Sequence, residues 1–434
     1  MMKLRPFELV LVTVFGLLGL VALAMISTYK PTPDETTATL GDAVVIWGTV
    51  EASAFQSVLG PLKEKIKAYS VVSYVEKDPR NFDSDLLNAL AEGRGPDIIF
   101  VPHEKLVQVR SKIQPVSYES FPLRDFQNLY IDGAEIWAQS DGVYAYPVAI
   151  DPLVMYYNRD LLATKNIINP PTTWEGVVND IIPTMVERDY SRNIIRSPLA
   201  FGEYRNINNG FAILSMLLLQ GGSALVTERS ERYQMLLNTT ASGNGLPFEN
   251  ALTFYTNFAS PSNPLYSWNR ALGLDRNEFL AEKLVLYFGK GSEARPLANQ
   301  NPNLNFDIAE VPQGATATVR RTYASFYGLA LLKSSPNKPG AFTVLQELGT
   351  ANQSKVLADA LTMAPAHRST LTAGSNDQYG RVTYKASIVG RGWLSPDPTR
   401  TNDIFAQMVE DVLSNRFRPS ESAGDAVARL TEIY

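Results

Sequence analysis

The chain of 434 residues has no cysteine and only two histidines. Without cysteine there is no disulfide, no thiolate metal site and no residue to carry the lipid of a lipobox anchor. Long runs of one charge are missing as well. The net charge of −5 comes from 39 Lys and Arg against 44 Asp and Glu. No basic stripe gathers along any segment, which argues against a nucleic-acid partner. There is no phosphate-cradling loop, no G-x-S-x-G elbow and no cluster with metal-ligand spacing, so neither metal nor cofactor is expected. The tandem Tyr156-Tyr157 offers two phenolates for ferric iron, but no His-rich neighbourhood goes with them. Internal repeats and low-complexity tracts are also absent.

What is present begins with an apolar run. Lys3 and Arg5 precede Leu9–Ile26, LVLVTVFGLLGLVALAMI, an uncharged stretch of eighteen residues. As a helix rising 1.5 Å per residue it spans about 27 Å, close to the ~30 Å hydrocarbon layer. That exceeds the apolar core of a cleaved signal peptide, about 7–15 residues, although Ala22-Leu23-Ala24 would serve as a cleavage site. Residues 1–30 are therefore expected to be a signal anchor or a signal peptide, with the rest of the chain outside the cell. Residues 31–41 are polar and rich in Pro and Thr, as in a short linker.

An apolar content of 45% over this length supports two or three domains with real cores. Ala43–Trp47 reads as a strand, Ala54–Tyr69 as a helix, Val71–Val75 as a strand and Asp83–Glu92 as a helix ended by Gly93. Ile98–Val101, behind the turn Gly95-Pro96-Asp97, is a short buried strand. This β-α-β-α-β order predicts a parallel sheet covered by helices, and hence an α/β fold. Further helices are expected at Trp174–Glu187, Gly210–Leu219, Asn244–Ala259 and Asp275–Lys283, followed by a strand at Val285–Phe288. After that come a strand at Tyr327–Leu332 and helices at Pro339–Thr350, Gln353–Leu361, Asp403–Asn415 and Ala423–Tyr434.

His103, Glu104 and Lys105 follow the buried strand at its carboxyl end, where open α/β sheets bind ligands. The whole stretch Gly95–Leu106, GPDIIFVPHEKL, resembles the G-P-D-I-I-F-W-A-H-D-R-F segment of maltose-binding-protein-like sugar receptors, with Val101 in place of the stacking Trp. Tyr146–Leu162 followed by Pro170–Glu175 is similar to the family's Y-P-x-A…Y-N-x-D-L-L…P-P-x-T-W-E segment. Phe279–Gly289 and Tyr327–Gly349, the latter with its S-P-N-K turn, resemble two later stretches. The resemblance covers roughly Val44 to Arg429. It implies a two-lobe periplasmic-binding-protein fold, type II-like, behind the N-terminal transmembrane or signal helix. One lobe would hold residues 42–148 and 326–388, the other 149–325 and 389–434.

The same resemblance proposes the ligand-binding positions. Thr49 and Glu51 end the first strand, and Glu51 reads equally as a solvated loop acid. Glu104 and Lys105 carry the family's acid–base pair, or form a charge pair at a helix start; His103 is set aside as a structural hydrogen-bonder. Asp151 stands where the family has an acid between the lobes, or caps a helix beginning at Pro152. Glu203 and Tyr204 supply an acid and an aromatic, with Asn208 or Asn209 as rivals and Asn209 readable as a plain N-cap. Ser292 replaces a stacking Trp in a strand-to-helix turn, where backbone N–H groups could donate to a ligand or the Ser could simply cap. Trp393, in the loop 390–398, reads as an exposed aromatic that would stack on a sugar.

The implied function is that of the extracellular substrate-binding component of an ABC importer. Its solute would be a sugar or short oligosaccharide, its partner a membrane permease, and the protein a monomer without enzymatic activity. Receptors for cationic or peptide solutes share the acidic candidates, and a glycoside hydrolase would need two of the carboxylates flanking one bond.

Overall fold

The computed structural model describes residues 40–222, 225–229, 232–236 and 247–434. The apolar run 9–26, and with it the expected anchor, lies outside the described residues. Among those residues no helix is long and apolar enough to cross a membrane.

The opening pattern folds as its periodicity predicts. Strand β1 (Val44–Gly48), helix α1 (Ala52–Lys65), strand β2 (Val72–Glu76), helix α2 (Phe82–Ala91) and strand β3 (Ile98–Pro102) follow in order. Both β2 and β3 pair with β1 in parallel. The first helix stops at Lys65, and Lys67–Val71 continues as a 3-10 turn rather than as regular helix.

The centre of the molecule is strand β4 (Tyr146–Asn158), which is buried almost throughout. It joins β5 (Ile194–Leu199), β6 (Leu284–Lys290), β7 (Phe306–Ala309) and β8 (Thr322–Leu331) in one eleven-stranded sheet, whose main path runs β2-β1-β3-β8-β4-β6-β5. Residues Tyr146–Pro152 of β4 pair with β8, whereas Leu153–Asn158 lie between β6 and β7. Pro152 sits where one partner gives way to the next. A proline has no N–H for a ladder, so a handover between partners is a place where it does little harm. The strand continues through it, which overturns the reading of Asp151 as the cap of a helix starting at Pro152.

The apolar interior divides along the same line. One cluster gathers around Leu153–Tyr156, Leu284–Phe288 and the helices α3 (Gly210–Gln220), α4 (Pro398–Leu413) and α5 (Pro419–Thr431). Two others pack around β1, β3 and the first half of β4. Between α2 and α3 of the expected set, Trp174–Glu187 is not one helix. It breaks into Trp174–Gly176, a π turn at Val177–Ile181 and Ile182–Met185. Pro183 removes an intrahelical donor there, and its ring crowds the preceding turn. The helix at Gln378–Ile388, capped by Asp377 through the Gly380 N–H at 2.7 Å, was not anticipated.

A hairpin of Val226–Arg229 and Arg232–Met235, placed after α3, reaches back to the first part of the chain. Arg110 holds it by donating to Glu228 at 2.9 Å and to the Tyr233 hydroxyl at 2.8 Å. Glu228 also accepts from the Ser140 N–H and hydroxyl, and Tyr233 donates to Gln139.

Candidate functional site

The end of β3 turns through His103–Lys105 directly into the junction of β4, β6 and β8. Glu104 Oε1 accepts from the hydroxyls of Tyr323 and Ser325, each at 2.6 Å. The Ser325 hydroxyl in turn accepts from Lys290 Nζ at 2.8 Å. One hydroxyl thus connects an ammonium at the end of β6 to a carboxylate beyond β3. Ser325 lies opposite Asp151 in the β8–β4 register. Both oxygens of Asp151 are engaged by Ser292, one by its N–H at 3.0 Å and one by its hydroxyl at 2.7 Å. Asp151 is 2% exposed, while the Glu104 side chain keeps about a fifth of its surface open, at 21%.

The electrostatics follow from this crowding. Burial pushes the Asp151 carboxyl up, with Lys290 and Ser292 opposing. For Glu104 burial acts the same way, but His103, Lys290 and Ser325 outweigh it and hold the carboxyl below the usual range. Burial works against the Lys290 charge, yet the carboxylates of Glu104 and Asp151 around it keep the ammonium more firmly protonated than usual. The Tyr327 hydroxyl is pushed up to about 12, chiefly by burial, and so stays a neutral donor.

His103 is fully buried, and its ring closely faces Gly392, where any larger residue would collide with it. Its Nδ1 receives the Phe326 N–H at 3.1 Å and lies 3.1 Å from Glu104 Oε2. One nitrogen cannot serve both: a neutral ring takes the N–H, and a protonated ring faces the carboxylate.

Chemically the junction offers carboxylates, an ammonium and phenolic and aliphatic hydroxyls, converging from both halves of the sheet. Such a set matches a solute with many hydroxyls. Residues 63–354 of the chain match the family described as bacterial extracellular solute-binding protein. The chain belongs to that family. A putative binding protein of Brucella abortus (strain 2308) is 23% identical over 214 residues, 47% of this chain and 46% of that one. The galactooligosaccharide-binding protein of Bacillus subtilis (strain 168) is 25% identical over 170 residues, 37% of this chain and 38% of its own. The match thus spans less than half the length of these relatives. Among solved structures, a cyclo/maltodextrin-binding protein in complex with maltotetraose has a TM-score of 0.71 at 15% identity, covering 90% of this chain and 97% of that one. That likeness establishes the fold.

In this solute-binding protein the expected site residues part company. Glu104, Asp151 and Ser292 meet at the junction. Lys105 does not, since its ammonium pairs with Asp83 of α2; the acid–base pair of the motif is split between two surroundings. Thr49 is half-buried at the end of β1, and Glu51 is exposed at the start of α1 without capping it. Glu203 is buried against Arg270, which donates to its oxygens at 3.1 and 3.4 Å and also reaches Glu410. The Tyr204 hydroxyl donates to Asn402 at 2.6 Å. Asn209 does not cap α3. Its side-chain amide donates to the Tyr287 hydroxyl, the Phe288 carbonyl and Glu293. Ser292 is no local cap either, because both its donors go to Asp151.

Trp393 corrects a further expectation. It is 5% exposed rather than held in an open loop, donates from Nε1 to Ser215 at 3.0 Å and stacks on Phe211. The flanking Gly392 and Pro396 suggested exposure, but the aromatic partner lies far away in sequence.

The residues missed were Lys290, Tyr323, Ser325 and Tyr327. The last three alternate with Ala324 and Phe326, a period of two that puts three hydroxyls on one face of β8. That signal was in the sequence. Lys290 closes an otherwise apolar strand, LVLYFGK, and carried no comparable mark.

Proposed function

We propose that this protein is the substrate-binding component of an ABC importer, taking a sugar or short oligosaccharide between two lobes and passing it to a membrane permease. The lobes would be residues 42–148 with 326–388 and residues 149–325 with 389–434. The division of the apolar interior about the middle of β4 supports those boundaries. The observation that carries the function is the relay Lys290–Ser325–Glu104, in which a cation from one half of the sheet and a carboxylate from the other converge on one place. The galactooligosaccharide-binding and maltodextrin-binding relatives supply the solute class. Closing the lobes would shift an existing equilibrium, and the permease would read the closed form.

Glu104→Gln tests the site. A hydrogen bond to a charged group contributes about 1.5–3 kcal/mol, so the dissociation constant of a bound maltotriose or galactotriose should rise about tenfold or more. Unchanged affinity by calorimetry would remove Glu104 from the site. For the N-terminus, we propose that residues 1–30 keep the protein at the membrane with its bulk outside. Native material should then sediment with membranes and resist high salt; recovery in the soluble fraction would favour a cleaved signal.

A further inference from the structure

We propose that the hollow beneath the paired strands Val226–Arg229 and Arg232–Met235 is a second binding site, for a carboxylate carried on a small apolar body. The hollow measures about 460 Å³, within the range of small-molecule pockets. None of the junction residues Glu104, Asp151, Lys290, Ser325 or Tyr327 lines it. The hairpin forms its roof, pinned by Arg110 as described, and Ile136, Leu219, Leu225 and Leu394 give it apolar walls. Trp393 adds a ring whose only N–H is already spent on Ser215. This is the place the structure gives to the tryptophan that the sequence suggested for sugar stacking.

Two arginines, Arg321 and Arg391, line this space. Arg391 donates to the Gly390 carbonyl at 2.8 Å and reaches Asp132 at 3.3 Å, but Asp132 is shared with Arg368, which lies closer at 2.6 Å. Arg321 donates to the Arg320 carbonyl and has no ion-pair partner among the described residues. Burial and the neighbouring Arg321 both weaken the hold of Arg391 on its proton. Glu228, the other acid on the lining, is already committed to Arg110.

The chemistry of the walls narrows the occupant. An uncharged sugar would leave the guanidiniums unmatched. A bare inorganic anion would leave the walls around Leu219 and Trp393 wet, and a cation would meet like charge. A carboxylate satisfies a guanidinium with paired, charge-assisted hydrogen bonds, and its apolar tail gains by leaving water.

Titration calorimetry of the full chain with sodium octanoate tests the site, with octan-1-ol as the uncharged control. Octanoate should bind saturably at one site, and at least tenfold more tightly than octan-1-ol. Arg321→Gln, a change at a half-buried position that leaves the core intact, should weaken octanoate at least tenfold and leave octan-1-ol unaffected. Arg321→Lys, which keeps the charge but loses the paired geometry, should fall between the two. Glu104→Gln should leave octanoate binding unchanged, which separates this site from the proposed sugar site. Absence of saturable binding, equal binding of octan-1-ol, or full octanoate affinity in Arg321→Gln would each overturn the proposal.

Discussion

Lys290→Met is expected to destabilise the ligand-free protein by about 3 kcal/mol in urea unfolding at pH 7, because removing one partner of a buried charge group leaves the others uncompensated. Lys290 is the ammonium that offsets Asp151 and Glu104, and only Ser325 stands between it and Glu104. The loss should be smaller in acid. Asp151 holds its proton more strongly than an ordinary aspartate, so lowering the pH neutralises it in the folded state and reduces the need for a cation. A double variant with Asp151→Asn should recover part of the loss, a coupling of about 1–3 kcal/mol. A loss of the same size at pH 4 and pH 7, with no recovery in the double variant, would mean that the lysine stem rather than its charge matters.

Asp275→Asn should act in the opposite direction. Asp275 is 1% exposed and accepts the N–H groups of Asn208 and Arg276, yet burial raises its pKa from 3.8 to about 7. Between those values the folded state holds a proton that the unfolded state has released. Stability contributed by this group is therefore present below pH 4, lost as the pH rises towards 7, and constant above it. At 1.36 kcal/mol per unit the span is up to about 4 kcal/mol. Asparagine keeps the accepting oxygen and never ionises. The variant should match the wild type near pH 4 and exceed it at pH 8, with a flatter profile of urea midpoint against pH. A variant less stable than wild type at pH 8 would show that the ionised carboxylate is favourable there.

Local pattern carried the first three strands of the fold. Alternating strand and helix periods from Val44 to Pro102 become β1 to β3 with their two helices, because each element there packs on its sequence neighbour. Pattern also marked the second half of β8, at Tyr327–Leu332, and the resemblance singled out Glu104 and Asp151 as candidates. What pattern alone did not reveal depends on distant partners. Lys290 reaches the junction only because β6 lies beside β4, 133 positions earlier at the facing Met155–Phe288 pair. The partners of Glu203 and Lys105, Arg270 and Asp83, are likewise set by the tertiary fold. Trp393 looked exposed until Phe211 and Phe405 covered it. The π turn at Val177–Ile181 was within reach, since Pro183 marks it.

The central claim is that a hydroxyl-rich solute binds at the junction around Lys290 and Glu104. The most direct measurement is the melting temperature of the full chain, with maltotriose and galactotriose titrated in turn against wild type and Glu104→Gln. At 100 times its dissociation constant a ligand adds about 2.7 kcal/mol of stability, so at least one of these sugars should raise the melting temperature of the wild type saturably. The same sugar should do so in Glu104→Gln only at concentrations about tenfold higher. No shift with either sugar, or identical titration curves for the two proteins, would contradict the account.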